Sequence, residues 1–384
     1  MPDAPGTKRG RLRLFWARIT EGLKLEQLWN QFLSEAKASY GLYSREVDWD
    51  EIDRQSRGAR RVWRSAWALF QAMLMKLSPA RRILLLLAIA FLVITFDVHW
   101  GKQEVAIQLS AFGSLILFLL LALELADRVA MKRDLEIARE IQQRLVPERA
   151  PTVAGFDIAF ATRPQNTVAG DYYDAFLRPL REASRDDPPL LIIVADVAGK
   201  GVPAALLMAT FQASLRALSA TPATLEEMVT GLDRYTRAHS MDGRRFTTAF
   251  LAQIHPGTHE MQYTNAGHNA PLLRRRSGEI ERLSTGGPPF GLPLFTEGEV
   301  HYPSATVDLR PGDLLVIFTD GLVEAVDQRG QEFGEPRLLA LIQSVPQPER
   351  AAATLERVMK EVNTFVGPAR QHDDITCLVV RFDA

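Results

Sequence analysis

Two apolar runs in the 384-residue chain end in an aspartate. "LLIIVAD" closes on Asp196 and continues as "VAGKG"; "LLVIFTD" closes on Asp320 and continues with Gly321. A strand covered on both faces does not readily hide a carboxylate. An aspartate at its end, followed by glycine, stands at the mouth of a sheet, where backbone and ligand can approach closely. "QHDDITCLVV" repeats the arrangement in reverse, with Asp373 and Asp374 opening the run, and "AGDYYDAF" offers Asp171 and Asp174. Four or five aspartates without an accompanying Cys or His cluster form an oxygen donor set, which selects hard ions such as Mg²⁺ or Mn²⁺. Crowded together alone, they would repel and raise one another's pKa values. Two divalent ions would balance the charge, hold a bridging water and clamp a phosphoryl group for in-line attack, with no protein nucleophile required. Any one of these aspartates is read more simply as a helix or turn cap. Four in the same relation to apolar runs are not.

The elements that must position them recur at short intervals from about Phe156. "FDIAFA", "LLIIVADV", "FTTAFLAQI", "MQYTNA", "DLLVIFTD" and "ITCLVVRF" read as strands. "PAALLMATFQASLRAL", "TLEEMVTGLDRYTRAH" and "ERAAATLERVMKEVNTFV" read as helices. Strands and helices do not alternate strictly, and residues 247–283 read as consecutive strands. The pattern predicts an α+β domain over 151–384 built on antiparallel sheets, not a doubly wound parallel one.

Upstream the texture differs. "ILLLLAIAFLVITF" and "VAIQLSAFGSLILFLLLAL" predict a transmembrane hairpin over 81–124, with spans at about 82–100 and 104–123. Two core helices of a soluble protein are the alternative. The first run begins near residue 80, which excludes a signal peptide. Arg60, Arg61, Arg64, Lys76, Arg81 and Arg82 precede the first run, Arg128, Lys132 and Arg133 follow the second, and the loop between offers only Lys102. The positive-inside rule then places both ends in the cytoplasm and leaves an outer loop of a few residues, too short for a sensor domain. Residues 1–80 read as a cytoplasmic helical region. Its stretch "KRGRLRLFWARI" suits either an anionic membrane surface or an unstructured tail. Residues 125–150 predict a helical linker continuous with the second span and ended by Pro147 and Pro151. Leu135, Ala138, Gln142 and Leu145 fall at coiled-coil spacing with Ile141 beside them. The seam suits a homodimer or a single helix packed on the next domain.

Composition bounds the partners. Hydrophobic content of 47% and charged content of 24% describe a folded chain, and the net charge of −1 argues against nucleic acid. The one cysteine, Cys377, lies in an apolar strand-like run; it reads as a buried small residue in a reducing compartment.

In order, "AGDYYD", "ADVAGKGVPAALLMA", "NAGHNAPLL", "GGPPFGL", "FTDGLVEA" and "HDDITCLVV" resemble the motifs of the metal-dependent, type 2C-like protein phosphatases. The branch is that of the stage II sporulation protein E and sigma-factor regulatory phosphatases of bacteria. The likeness covers about residues 136–382 and includes the linker "IAREIQQRLVP". It implies a β-sandwich of two antiparallel sheets flanked by helices. The implied activity is a protein serine/threonine phosphatase at a bacterial inner membrane, using two Mn²⁺ or Mg²⁺ ions on a phosphorylated anti-sigma-factor antagonist. Carried over by motif, Asp171, Asp196, Asp320 and Asp373 are the metal carboxylates and the Val197 carbonyl is a further ligand. Asp374 takes a supporting place, and Asp174 belongs to the structural side of its motif. Lys200 stands where many members have His; it could bind phosphate but would be a poor proton donor. His268 suits either a general acid or a hydrogen-bonded residue shaping its loop. Two other classes stay open: a catalytically silent phosphatase-fold scaffold at the membrane, and a nucleotide cyclase, which lacks a phosphate-cradling glycine loop here.

Overall fold

A computed structural model describes residues 59–100, 103–178, 188–240, 245–292 and 300–383. The basic stretch 8–19 lies outside them. The chain divides into two compact units, Met1–Val129 and Ala130–Ala384.

In the first unit α1 (Ala59–Lys76) is followed by α2 (Pro79–Val93). Strands β1 (Thr95–Trp100) and β2 (Gln103–Gln108) then pair antiparallel, and α3 begins at Ser110 and runs to Gln143. The apolar halves of α2 and α3 pack closely. Ala88 is fully buried, and a side chain at Gly113 would collide with the Ala88 carbonyl and Leu92. Small residues at a helix crossing allow this approach. Arg81 bridges Glu124 at 3.3 Å and Asp127 at 2.7 Å, tying the start of α2 to the apolar–polar boundary of α3.

The elements formed differ from the expected spans: residues 95–100, at the end of the first, pair as a strand with residues 103–108, at the start of the second. The physical reason is their alternation: Phe96, Val98 and Trp100 interleave with Asp97 and His99, a period of two that suits a strand. Helix α2 has 15 residues, about 22 Å at 1.5 Å per residue, short of the roughly 30 Å hydrocarbon core. Among the described residues one helix, α3, is long and apolar enough to cross a membrane.

In the second unit two sheets face one another. One has the order β10 (Gly286–Gly287), β7 (Glu260–Ala266), β6 (Thr247–His255), β5 (Leu190–Val197), β4 (Tyr172–Leu177), with β11 (Ala305–Asp308) also on β7. The other has the order β3 (Phe156–Arg163), β13 (Ile375–Phe382), β12 (Leu314–Phe318), β8 (Leu272–Arg274), β9 (Ile280–Arg282). All pairs are antiparallel except the two-residue β10–β7 bridge. Helices α4 (Val202–Ser219) and α5 (Leu225–Ala238) cover the first sheet. Helices α7 (Glu335–Ser344) and α8 (Ala351–Val366) cover the second, and α6 (Asp320–Val323) is one turn at the end of β12. The expected α+β sandwich flanked by helices is therefore present.

Strand parity sorts the side chains. Ile192 and Val194 of β5 meet Phe250, Ile317 and Leu378 between the sheets. Leu191, Ile193 and Ala195 face Met208 and Phe211 of α4. On β12, Leu315 and Ile317 face inward while Val316 and Phe318 meet α7 and α8. Strands apolar on both faces explain the unbroken hydrophobic runs. Cys377 is buried in the layer under α8, as expected of a packing residue, and burial pushes its thiol up to about 12.

Candidate metal-binding site

The same parity places the acids. Asp196 lies on β5 in phase with Ile192 and Val194, and Asp171 precedes β4 in phase with Tyr173 and Ala175; both sets line the core between the sheets. Both carboxylates therefore stand where that core opens at one end of the sandwich. Asp320 begins α6 at the end of β12, and Asp373 and Asp374 lead into β13, which pairs with β12. A side chain at Gly321 would collide with the Asp374 carbonyl oxygen. The glycine after Asp320 thus lets two acidic segments touch backbone to backbone. Gly170 lies similarly close to the Val197 carbonyl, 3.1 Å from where its Cβ would stand.

Asp171, Asp196, Asp320, Asp373 and Asp374 feel one another electrostatically. Burial raises the Asp171 carboxyl well above its usual range, and Asp196 raises it further. Asp196 is pushed up to about 7, first by burial and then by Asp320 and Asp373. Asp320 is raised by burial and by Asp373. Lys200 supplies a cation: its Nζ pairs with Asp373 Oδ2 at 2.9 Å and donates to the His372 carbonyl. Among the described residues no three of these groups converge as tightly as the ligands of a single bound ion. Their chemistry fits hard divalent ions nonetheless: all the donors are oxygen, and burial with mutual repulsion calls for positive charge beyond one lysine.

The surroundings hold these acids in place. Thr319 Oγ1 donates to Asp171 Oδ2 at 3.0 Å and accepts from the Thr376 amide at 3.0 Å, linking β12, β13 and the Asp171 segment. Asp374 accepts from the Gln165 amide at 2.6 Å and the Gly170 amide at 2.7 Å, so both its oxygens order the loop before Asp171. Burial raises its pKa, and these two amides oppose the rise. Gln142, near the end of α3, pairs with Ala169 twice, donating to its carbonyl at 2.7 Å and accepting from its amide at 2.9 Å. The polar position of the expected coiled-coil seam is thus used within the chain, one residue from Gly170.

Asp174 is different. Three residues from Asp171 on an extended strand, it faces the opposite way. It is fully buried, accepts from Tyr172 Oη at 2.6 Å and from Arg216 at 3.0 and 2.6 Å, and also accepts from the Ala175 amide. It is a structural carboxylate, as its motif suggested. His268 is buried, with Nδ1 3.0 Å from Thr248 Oγ1, while the Asn265 side chain closes its turn by bonding both the His268 amide and carbonyl. Burial lowers its pKa to about 4, which the Phe318 carbonyl only partly opposes. A ring neutral at pH 7 suits the loop-shaping alternative better than the general acid.

Sequence reasoning did not single out Thr319 or Glu324, and it placed Gln142 only in the coiled-coil seam. Glu324, raised by burial and by Asp320, lines a cavity of about 180 Å³ with Lys200, Arg370, His372 and Asp373. The signals were present: Thr319 sits inside the "FTD" motif and Gln142 inside the linker motif. Gln142 is read there by its helical phase alone.

A family of phosphatases is defined by this fold and this acidic mouth. The family model for stage II sporulation protein E (SpoIIE) matches residues 186–383, just over half of the chain, and the chain belongs to that family. Among its relatives is phosphoserine phosphatase RsbU of Bacillus subtilis (strain 168), 27% identical over 255 residues, covering 65% of this chain and 70% of RsbU. Protein IcfG of Synechocystis sp. is 26% identical over 287 residues, covering 68% of this chain; the chain spans 43% of IcfG's length. Among solved structures, the SiaA-PP2C domain of Pseudomonas aeruginosa superposes with a TM-score of 0.57 at 23% identity, covering 67% of this chain and 99% of that one, and shares its fold.

Proposed function

We propose that this chain is a membrane-anchored, divalent-metal-dependent protein serine/threonine phosphatase. Its substrate on this reading is a phosphorylated regulatory protein of the anti-sigma-factor-antagonist type. The observation that carries the reading is the set of carboxylates gathered at the mouth of the sandwich, with Asp171 buried and Asp171, Asp196 and Asp320 raised by burial and by neighbouring acids. Asp171, Asp196, Asp320 and Asp373, with the Val197 carbonyl, are assigned to hold two Mn²⁺ or Mg²⁺ ions. When bound, the ions would supply an activated water and a Lewis-acid clamp on the phosphoryl oxygens. The chain's own residues do the positioning. Thr319 and Thr376 fix the Asp171 carboxylate, and Asp374 holds the 165–170 loop against it. Lys200, paired with Asp373, is within reach of a phosphate oxygen at the mouth and could turn to it as a point charge. The cavity beside it, with Arg370 and His372, offers room for the residues flanking a phosphoserine.

The substrate class is supported by the motif resemblance and by the phosphoserine phosphatase named among the relatives. Anchoring in a bacterial inner membrane is supported by the apolar surface of α3, where Phe112, Leu115, Phe118 and Leu121 are exposed, and by its close packing with α2. On this reading α3 is the helix that crosses the membrane, and the phosphatase unit at its C-terminal end is cytoplasmic. Helix α3 then joins membrane to catalytic loop, because Gln142 grips Ala169. Ile137 and Ile141, exposed on its flank, offer a homodimer contact.

The test is phosphate release from a phosphoserine protein with and without Mn²⁺, comparing the full chain with Asp320→Asn. Metal-dependent release lost in the variant is expected. Equal, metal-independent activity in both would overturn the reading.

A further inference from the structure

The link from β5 to α4 carries three of the groups assigned above: the Asp196 carboxylate, the Val197 carbonyl and Lys200. Its backbone has little stiffness of its own. Gly199 and Gly201 stand in the left-handed region at φ 112° and 73°, and Gly201 offers α4 no side-chain cap. Glycine has the widest backbone freedom of any residue, so a loop built on two of them spreads over many conformations unless something outside holds it. Groups that bind an ion or orient a phosphate must be held to about half an ångström.

Arg245, just ahead of β6, supplies that hold. Its Nη1 donates to the Ala198 carbonyl at 3.0 Å. Its guanidinium lies directly against Gly199: a Cβ there would stand 1.5 Å from Nη1 and 2.8 Å from Cζ. Only glycine admits this contact. The neighbouring backbone joins in. The Ala198 amide donates to the Phe246 carbonyl at 2.9 Å, and the Arg245 amide donates to the carbonyl of Ser240, just past α5, at 3.0 Å. The loop also meets the Asp171 segment. A Cβ at Gly170 would stand 3.1 Å from the Val197 carbonyl oxygen and 3.7 Å from that of Gly199. The loop therefore has two supports, Arg245 and the residue before Asp171. The first uses what distinguishes arginine from lysine. A planar guanidinium can donate to one carbonyl and cover the backbone of the next residue, whereas a compact ammonium can only donate.

We infer that Arg245 is a positioning residue of the phosphatase site: it fixes the 197–200 loop, and through it the Val197 carbonyl and Lys200, without itself touching ion or substrate. The inference rests on the assignment of those two groups under the proposed function, and adds to it the residue that keeps them in place.

The test compares the full chain with Arg245→Met and Arg245→Lys, by amide hydrogen exchange without metal and by calorimetric titration of Mn²⁺ at pH 8. In Arg245→Met the amides of residues 198–201 should exchange roughly tenfold faster, the effect of one lost hydrogen bond on local opening. Mn²⁺ should bind about 10–100-fold more weakly, the usual loss when a residue that orients a ligand is removed. Arg245→Lys, which can still donate to Ala198, should fall between the parent and Arg245→Met. The Mn²⁺ concentration giving half-maximal phosphatase activity should rise in step, and kcat at saturating Mn²⁺ should return close to the parent's, because the residue acts through the loop and not on the phosphate. If Arg245→Met does not fold, Arg245→Lys carries the comparison. Variants that melt lower but keep the parent's exchange rates and Mn²⁺ affinity would make Arg245 a stability residue only and overturn the inference, leaving the metal reading standing. A parent chain that takes up no Mn²⁺ would overturn the metal reading and the inference with it.

Discussion

Two carboxylates three residues apart, Asp171 and Asp174, share a segment and a degree of burial and differ in almost everything else. Asp174 faces the α4 side, where Arg216 and Tyr172 neutralise and satisfy it. Asp171 faces the mouth between the sheets, where its neighbours are other aspartates. A buried charge is tolerable when paired, and an acid crowded by acids is tolerable only protonated or with ions added. The difference shows how one strand can carry a structural and a reactive acid side by side, the pleat alone deciding which is which.

The sharpest way to break this comparison is to neutralise each acid in turn. Asp171→Asn should lower metal-dependent phosphatase activity by roughly 10³-fold, the several kcal/mol of a lost metal clamp. It should leave thermal stability unchanged or raised, because it relieves repulsion. Asp174→Ala should do the reverse, leaving Arg216 and Tyr172 without their carboxylate and costing about 2–3 kcal/mol of stability, measured by denaturant titration. Activity of the fraction still folded should be near normal. Similar losses of activity in both, at equal stability, would erase the distinction.

Gln142→Ala tests the reach of α3 into the site. Loss of its paired bonds to Ala169 should weaken Mn²⁺ binding by about 10–100-fold, as for other residues that orient ligands, while Gln143→Ala should not. A smaller effect concerns pH. Asp196 titrates near 7 when folded against about 3.8 unfolded, so the metal-free fold binds the extra proton between these values. Its stability should fall as pH rises from about 4 through 7. Mn²⁺ requires the deprotonated acids, so its affinity should rise over the same interval. Melting curves at pH 5.5 and 8 should therefore rank oppositely without and with Mn²⁺. The smallest expected effect is at Cys377, whose buried thiol should resist alkylation at pH 8 until the fold is unfolded.

Much of this was legible in the sequence. Unbroken apolar runs ending in Asp196 and Asp320 announced strands covered on both faces with acids at their ends, and that is where the acids stand. The pairing of 95–100 with 103–108 was hidden because their apolar residues extend two hydrophobic runs, and total hydropathy masked a period of two. The bonds from Gln142 to Ala169 and from Asp374 to Gln165 and Gly170 join residues far apart in the chain, so no local pattern could disclose them. The opposed faces of Asp171 and Asp174 needed only the strand register, once the strand was known to begin at Tyr172.

The most direct test is calorimetric titration of Mn²⁺ into the full chain, side by side with Asp171→Asn and Asp174→Asn. The proposed site predicts two ions bound by the parent protein at pH 8, binding lost in Asp171→Asn and retained in Asp174→Asn. No Mn²⁺ binding by the parent protein, or the same binding in all three, would contradict it.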